Sequence, residues 1–119
     1  MTSRLAAARA VGAEIAASHA DDVDRRARFP SEAFAALKAA KLLGIMVPPA
    51  DGGLGAGIAE VVAICQALGR HCASTAMIYA MHQIQVSCIV RHAGANKWHR
   101  DFMKRLAGDQ LLLASATSE

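Results

Sequence analysis

The sequence predicts an all-α domain, an up-and-down bundle of about five helices that ends in the first strand of a missing β-domain. Three observations carry this prediction. Alanine, a strong helix former, supplies 27 of the 119 residues. Apolar residues recur at helical spacing along most of the chain. Glycine, proline and N-cap residues separate the periodic segments. Because alanine buries little area and aromatic residues make up only 4% of the chain, we expect a thin hydrophobic core. The stability of such a core is expected to depend on contact with a partner domain.

The first two helices are predicted before residue 44. Apolar residues that share one helix face predict the first helix over residues 3–19. The polar run DDVDRRAR, at 21–28, either extends this helix on a solvated face or forms a linker. Pro30 stands where a second helix can begin. Gly44 is expected to supply the left-handed residue that ends the second helix.

Three further helices are predicted after a glycine-rich loop at 48–57. The third spans 58–72, the fourth spans 75–92 with Ser74 as its N-cap, and the fifth spans 96–106. The residues expected to face the core are Ile58, Val61, Val62, Cys65, Leu68 and Cys72 on the third helix, Met77, Ile78, Met81, Ile84, Cys88 and Ile89 on the fourth, and Trp98, Phe102 and Leu106 on the fifth.

The ending QLLLASATSE, at 110–119, is typical of the start of a strand. A strand without a neighbour leaves its backbone donors and acceptors unpaired. We therefore expect a helical domain at 1–110 and the start of a β-domain at 111–119, with the rest of the sheet outside this sequence.

The stretch PPADGGLGAG, at 48–57, raises the question of a phosphate-binding loop. A dinucleotide-binding loop needs the spacing G-x-G-x-x-G and a carboxylate about twenty residues further on. Gly53, Gly55 and Gly57 break that spacing, and Met77 and its neighbours stand where the carboxylate belongs. The two prolines also obstruct a preceding parallel strand. We interpret the stretch as a hinge between two helices.

Charge and cysteine content bear on several other function classes. The formal net charge is only +3 and the basic residues are dispersed, which disfavours nucleic-acid binding. Three cysteines in apolar stretches are typical of reduced thiols. No run reaches the ~20 apolar residues of a membrane span, and Glu14 disfavours an organelle transit peptide. The cytoplasm is therefore the expected location. Cys88 and His92 lie one helical turn apart, but further ligands are missing, so no metal site is predicted.

Two long stretches resemble the acyl-CoA dehydrogenase family in the order and spacing of their motifs. In LKAAKLLGIMVPPADGGLGAG a helix ends in leucine-glycine, and a valine-proline and a loop with paired glycines follow. The stretch CQALGRHCASTAMIYAMHQIQVSCIVRHAGANKWHRDFMKRLAGDQLLLASATSE adds a second leucine-glycine, a glycine stop, a basic helix with an aromatic residue and a strand. That strand ends in Thr-Glu in the family and in Ser118-Glu119 here. The resemblance covers residues 28–119.

The resemblance implies the N-terminal helical domain of an FAD-dependent acyl-CoA dehydrogenase. In that family a β-domain and a C-terminal helical domain follow, and FAD lies between them. A glutamate removes the α proton of an acyl-CoA while hydride leaves the β carbon for the flavin, and an electron-transfer flavoprotein accepts the electrons. The resemblance also implies a homotetramer or homodimer. Because the glutamate lies outside this chain, no catalytic residue is predicted within it, and the chain alone is expected to be inactive.

The resemblance further implies which residues contact the flavin. Ser115, Thr117 and Ser118 match the strand that touches the flavin ring through its backbone and a hydroxyl. A hydroxyl donor there stabilises negative charge on the reduced ring. The alternative is that these residues are simply the polar end of a strand.

The matching acyl-pocket residues lie on the fourth helix. Met77, Met81 and Gln85 are spaced i, i+4 and i+8 on one face, and His82 adjoins that face. Methionine side chains adapt to an irregular ligand, and His82 could contact substrate or flavin. The alternatives are that both methionines are core residues and that His82 is a packing residue with satisfied hydrogen bonds.

Two other functions stay open. Ser115 and Ala116 are smaller than the residues that dehydrogenases of the family more often carry before the threonine. Two-component flavin-dependent monooxygenases share the fold and use histidines near the ring, and His82 is available for that role. A helical interaction module without chemistry is also compatible with the thin core.

Overall fold

The protein, seen here in a computed structural model that describes residues 2–116, is a bundle of five helices. No strand is present in this part of the chain, and the all-α prediction is confirmed. Helix α1 covers residues 3–26 as α-helix Ser3–Ala10, a π-helical stretch Val11–Ala16 and α-helix Ala17–Arg26. The remaining α-helices are α2 (Ser31–Ala39), α3 (Ile58–Gly69), α4 (Ala73–His92) and α5 (Lys97–Asp109). A short 3-10 helix, Pro49–Asp51, lies in the glycine-rich loop.

Helix α1 is longer than predicted because the polar run extends it. Asp22 accepts from Arg26 at 3.0 Å and from Arg28 at 2.6 Å, so the solvated face is tied together by ion pairs. The helix ends where Ala27 takes a left-handed conformation, with φ of 50°. Near its start, α1 is joined to α3 by the ion pair between Arg4 and Glu60 at 2.8 Å.

Helix α2 ends earlier than predicted, and Gly44 is not its left-handed residue. That conformation belongs to Lys41, with φ of 59°. The chain leaves the helix there so that Leu42 and Leu43 become fully buried. Gly44 has a different role: a Cβ at this position would lie 2.9 Å from the Cα of Ala107, so glycine lets α5 pack close.

The starts and ends of α4 and α5 also differ from the sequence predictions. Ser74 lies inside the first turn of α4, and the N-cap position belongs to Cys72. Asn96 caps α5 by accepting from the backbone N–H of His99 at 3.1 Å. This helix continues to Asp109 and ends at Gln110, with φ of 52°.

Residues 111–116, the described part of the predicted strand, form neither helix nor strand. Residues 117–119 lie outside the described residues. The division into a helical domain at 1–110 and the start of a β-domain therefore stays a prediction.

The apolar core has two main parts. The larger part joins α1, α2, α3 and α4, and the smaller part joins α4, α5 and the segment before the glycine-rich loop. The largest fully buried apolar side chains of the larger part are Phe34, Leu37, Leu42, Leu43, Ile45, Ile64, Leu68 and Tyr79. The smaller part consists of Val47, Val86, Ala93, Met103, Leu106 and Ala107.

The predicted core face of α4 is wrong for Met77, Met81, Ile84 and Cys88, which are exposed, whereas Ile78 and Ile89 are half-buried and pack against the core. Met77, Met81 and Ile84 are 63%, 47% and 50% exposed. The buried residues of this helix are instead Thr75, Tyr79, His82, Gln83 and Val86. Four of these five carry polar groups, and three of the four bond backbone groups of neighbouring segments, which offsets the cost of their burial.

Similar corrections apply to α3 and α5. Ile58, Val62 and Trp98 were expected in the core and are exposed. Apolar spacing does not identify the buried face of these helices, because apolar side chains lie on both sides. On α3, for example, Val61 is buried while its neighbour Val62 is not. On α5, Trp98 stacks on Phe102 with the ring centroids 5.3 Å apart.

Candidate functional site

The buried side of α4 holds the chain segment that follows α2. The Tyr79 hydroxyl donates to the Leu42 carbonyl at 2.8 Å, and Gln83 Nε2 donates to the carbonyls of Leu42 and Leu43 at 3.2 Å each. From the other side, Gln110 Oε1 accepts from the Leu43 N–H at 2.9 Å. Burial raises the pKa of Tyr79, so the phenol stays protonated and serves as a donor.

His82 is the centre of this polar cluster and is fully buried. Its Nε2 lies 2.7 Å from the Leu43 carbonyl, and its Nδ1 lies 3.0 Å from the backbone nitrogen of Leu113. Since a carbonyl only accepts and an N–H only donates, the imidazole is neutral with its proton on Nε2. Burial lowers the pKa of His82, which agrees with that state.

The predicted acyl-pocket residues do not form one cluster. Met77 and Met81 form an exposed apolar row with Ile84, and Gln85 is half-buried beside it. His82 lies on the buried side of the same helix. The alternative that the two methionines are core residues is wrong for the described part of the chain.

Two concave surfaces flank the exposed row. A recess of about 640 Å³ between the end of α1 and the start of α4 includes Phe29, Met77 and Ile78. A groove of about 420 Å³ between α3 and α4 includes Val62, Ile84 and other apolar side chains. Met77 at one end of the row therefore lines the recess, and Ile84 at the other end lines the apolar groove.

The α3–α4 groove contains one thiol and one unusual polar atom. Burial raises the pKa of the Cys65 thiol, so this group is protonated and a poor nucleophile. Gln83 Oε1 is buried without a hydrogen-bond partner, whereas its Nε2 is bonded. The groove is thus an apolar surface whose one thiol is protonated.

The predicted flavin-contacting residues lie at the end of the described chain. Ser115 is exposed, together with Ala114 and Ala116. Thr117 and Ser118 lie outside the described residues. Residues 114–116 thus form an exposed segment after the helical bundle.

Sequence reasoning missed the buried polar cluster. Tyr79, Gln83 and Gln110 were not predicted as functional or structural residues. A signal was present, because Tyr79, His82 and Gln83 are spaced i, i+3 and i+4 and must share one helix face. Apolar residues on the opposite face obscured it.

Residues 2–116 contain neither a cluster of metal-ligating side chains nor a helix able to cross a membrane. No group of three or more histidine, cysteine, aspartate or glutamate side chains in this range is arranged to hold a metal ion. Nor does any helix in the same range combine the length and apolar character that a bilayer crossing requires.

Comparison with known proteins then decides the family. Residues 3–110 match the family model described as "Acyl-CoA dehydrogenase, N-terminal domain". This chain belongs to the acyl-CoA dehydrogenase family. No solved structure gives a significant match.

Relatives of this acyl-CoA dehydrogenase domain come from several bacteria. "Probable acyl-CoA dehydrogenase fadE25" of Mycobacterium leprae is 33% identical over 93% of this chain, which spans only 28% of that relative's length. "Acryloyl-CoA reductase (NADH)" of Anaerotignum propionicum is 31% identical over 84% of the chain and 25% of the relative. "Cyclohex-1-ene-1-carbonyl-CoA dehydrogenase" of Geobacter metallireducens is 30% identical over 83% of the chain and 26% of the relative.

Proposed function

We propose that this chain is the N-terminal helical part of a flavoenzyme that dehydrogenates an acyl-CoA thioester between its α and β carbons. The names of the three relatives each refer to an acyl-CoA. The observation that carries the proposal is the exposed apolar row Met77, Met81 and Ile84 in a domain of this family. Contiguous apolar surface on a folded domain marks a ligand or a partner. The row, with Gln85 beside it, forms one wall of the acyl-binding site.

FAD is the cofactor in this proposal, and it accepts the hydride from the substrate. The exposed backbone at 114–116 fits contact with such a group, since Ala114 and Ala116 present no bulky side chain. Ser115, Thr117 and Ser118 supply hydroxyl donors toward the flavin ring. A glutamate base outside this chain takes the α proton, and an electron-transfer flavoprotein reoxidises the flavin. The enzyme acts as a homo-oligomer in the cytoplasm.

The experiment mixes the complete gene product, loaded with FAD, with acyl-CoA thioesters of different lengths under anaerobic conditions. We expect loss of the oxidised-flavin absorbance with at least one thioester. Met77→Lys places a charge in the apolar row, and we expect the half-saturating acyl-CoA concentration to rise about tenfold, equivalent to 1.4 kcal/mol. Trp98→Lys is the matched control, because Trp98 is 65% exposed against 63% for Met77 and lies on α5.

Two results would contradict the proposal in different ways. Bound FAD that no acyl-CoA reduces argues against dehydrogenation and favours the monooxygenase alternative. Failure to bind FAD argues against a flavoenzyme and favours the helical interaction module. A histidine at the flavin was the reason for the monooxygenase alternative, and both ring nitrogens of His82 are already hydrogen-bonded.

A further inference from the structure

The chain leaves the helical bundle along a path that hydrogen bonds define. After α5, Gln110 reverses the chain direction with φ of 52°. The Leu111 N–H then donates to the Leu106 carbonyl at 3.2 Å. Two residues later the Leu113 N–H donates to His82 Nδ1 at 3.0 Å. This bond ties the departing segment to α4 two residues before Ser115.

The imidazole that accepts this bond is itself held in place. His82 is fully buried, and its Nε2 donates to the Leu43 carbonyl at 2.7 Å. Gln83 donates to the same carbonyl at 3.2 Å, so the acceptor is fixed by a second side chain of α4. A hydrogen bond in a buried site is costly to lose, because no water replaces it. The position of Nδ1 is therefore defined by the bundle and not by the departing chain.

Because Leu113 and Ser115 are close in sequence, the hydrogen bond of Leu113 limits the positions that Ser115 can reach. Ser115 lies two residues after Leu113, a reach of at most about 7 Å in a fully extended chain. Each residue adds only two soft dihedral angles. Fixing the Leu113 N–H thus restricts where the Ser115 hydroxyl can be presented.

We propose that His82 is a positioning residue that, by accepting the Leu113 N–H on Nδ1, sets the exit path of the chain and aims Ser115 at the flavin. The flavin part of this inference rests on the proposed function. The role differs from direct contact with substrate, which the sequence suggested for His82. It also explains why a fully buried helix position carries an imidazole with one donor and one acceptor.

The test is made in the complete gene product. It distinguishes the hydrogen bond at Nδ1 of His82 from the hydrogen bond at Nε2. In His82→Asn the amide oxygen can take the place of Nδ1 and keep the bond to Leu113, while the bond to Leu43 is lost. In His82→Gln the amide nitrogen can take the place of Nε2 and keep the bond to Leu43, while the bond to Leu113 is lost. We expect His82→Gln to speed exchange of the Leu113 amide hydrogen at least tenfold and to weaken FAD binding about tenfold. His82→Asn should stay within about threefold of wild type in both measurements.

A second pair of variants changes Leu113 and leaves α4 untouched, in case substitution of His82 unfolds the bundle. One of the two removes the N–H donor and the other keeps it. Leu113→Pro deletes the N–H, and Leu113→Ala keeps the N–H while also shortening the side chain. We expect Leu113→Pro to weaken FAD binding about tenfold and Leu113→Ala to bind FAD within about threefold of wild type. Far-UV circular dichroism checks that both proteins keep their helices.

The outcomes distinguish this inference from the proposed function. If wild type and all variants bind FAD equally well, His82 does not position the flavin contacts, although the flavoenzyme proposal stands. If His82→Gln leaves exchange of the Leu113 amide unchanged, the bond does not define the exit path, and the inference fails on that ground. If wild type itself binds no FAD, the proposed function fails first and the flavin part of the inference fails with it.

Discussion

Gly53 is the position in the glycine-rich loop where the structure predicts the largest effect of a single methyl group. In Gly53→Ala the new Cβ would lie 2.0 Å from the Val47 carbonyl oxygen and 2.5 Å from the Val47 Cβ. The two chain segments must separate by roughly 1 Å to reach a tolerable contact. That movement strains the bonds from the Gly53 N–H to the Pro48 carbonyl, at 3.1 Å, and from the Gly55 N–H to the Val47 carbonyl, at 2.9 Å.

The expected loss of stability follows from these contacts. Two hydrogen bonds contribute about 0.5–1.5 kcal/mol each, and overpacking costs about 1–3 kcal/mol. The free energy of unfolding should therefore fall by about 2–6 kcal/mol in Gly53→Ala. Urea denaturation followed by circular dichroism measures this change through the midpoint and the slope.

Gly57→Ala is the control in the same loop. A Cβ at Gly57 meets nothing within 4 Å, and its backbone is extended, with φ of −91° and ψ of 174°. Only the weaker N-cap preference of alanine counts against it, about 1 kcal/mol. If Gly53→Ala is no more destabilising than Gly57→Ala, the close approach of Gly53 to Val47 is not a constraint in the folded protein.

Two further predictions concern a helix contact and an ion pair. Gly44→Ala should lower the free energy of unfolding by about 1–3 kcal/mol, because its Cβ would lie 2.9 Å from the Ala107 Cα. Gly108→Ala is the control, because a Cβ at Gly108 meets nothing within 4 Å, and it should raise the free energy of unfolding by about 0.5–1 kcal/mol. Equal effects of the two substitutions in thermal melts would refute the close contact between Gly44 and Ala107. Hydrogen bonds from Arg28 lower the pKa of Glu32 from 4.5 to about 2, so its stabilising contribution is present above pH 4.5 and is lost as the pH falls toward 2. In acid titrations the stability of Glu32→Gln should lack that contribution. An acid unfolding curve identical to that of wild type would contradict the assignment.

Helix α4 shows what the sequence could and could not predict. Its existence follows from the apolar spacing, and its start was predicted within two residues of Ala73. Its orientation could not be predicted, because apolar side chains occupy the exposed face while Tyr79, His82 and Gln83 occupy the buried face. Those polar groups are stable inside only because the 42–43 backbone lies beside them. That pairing depends on residues about forty positions apart, which local periodicity does not report.

The glycine-rich loop was predicted more accurately, although for only part of the reason. Gly52 and Gly55 have φ of 90° and 63°, as a glycine hinge between two helices requires. At Gly53 the reason for glycine is the approach of Val47, a tertiary contact. Of the candidate site, Met77 and Met81 were grouped from their spacing, but Ile84 was expected in the core, and the role of His82 as a link between Leu43 and Leu113 emerged only from the structure.

Three segments of this bundle finish on left-handed residues that are not glycine: Ala27, Lys41 and Gln110. A side chain in that conformation costs roughly 1–2 kcal/mol. Gln110 compensates with side-chain bonds to Leu43 and Ala107, while Ala27 and Lys41 are exposed. Ala27→Gly and Lys41→Gly should therefore both raise the free energy of unfolding, because glycine adopts the left-handed conformation without that cost. These two positions are the first to change in engineering a more stable form of this domain.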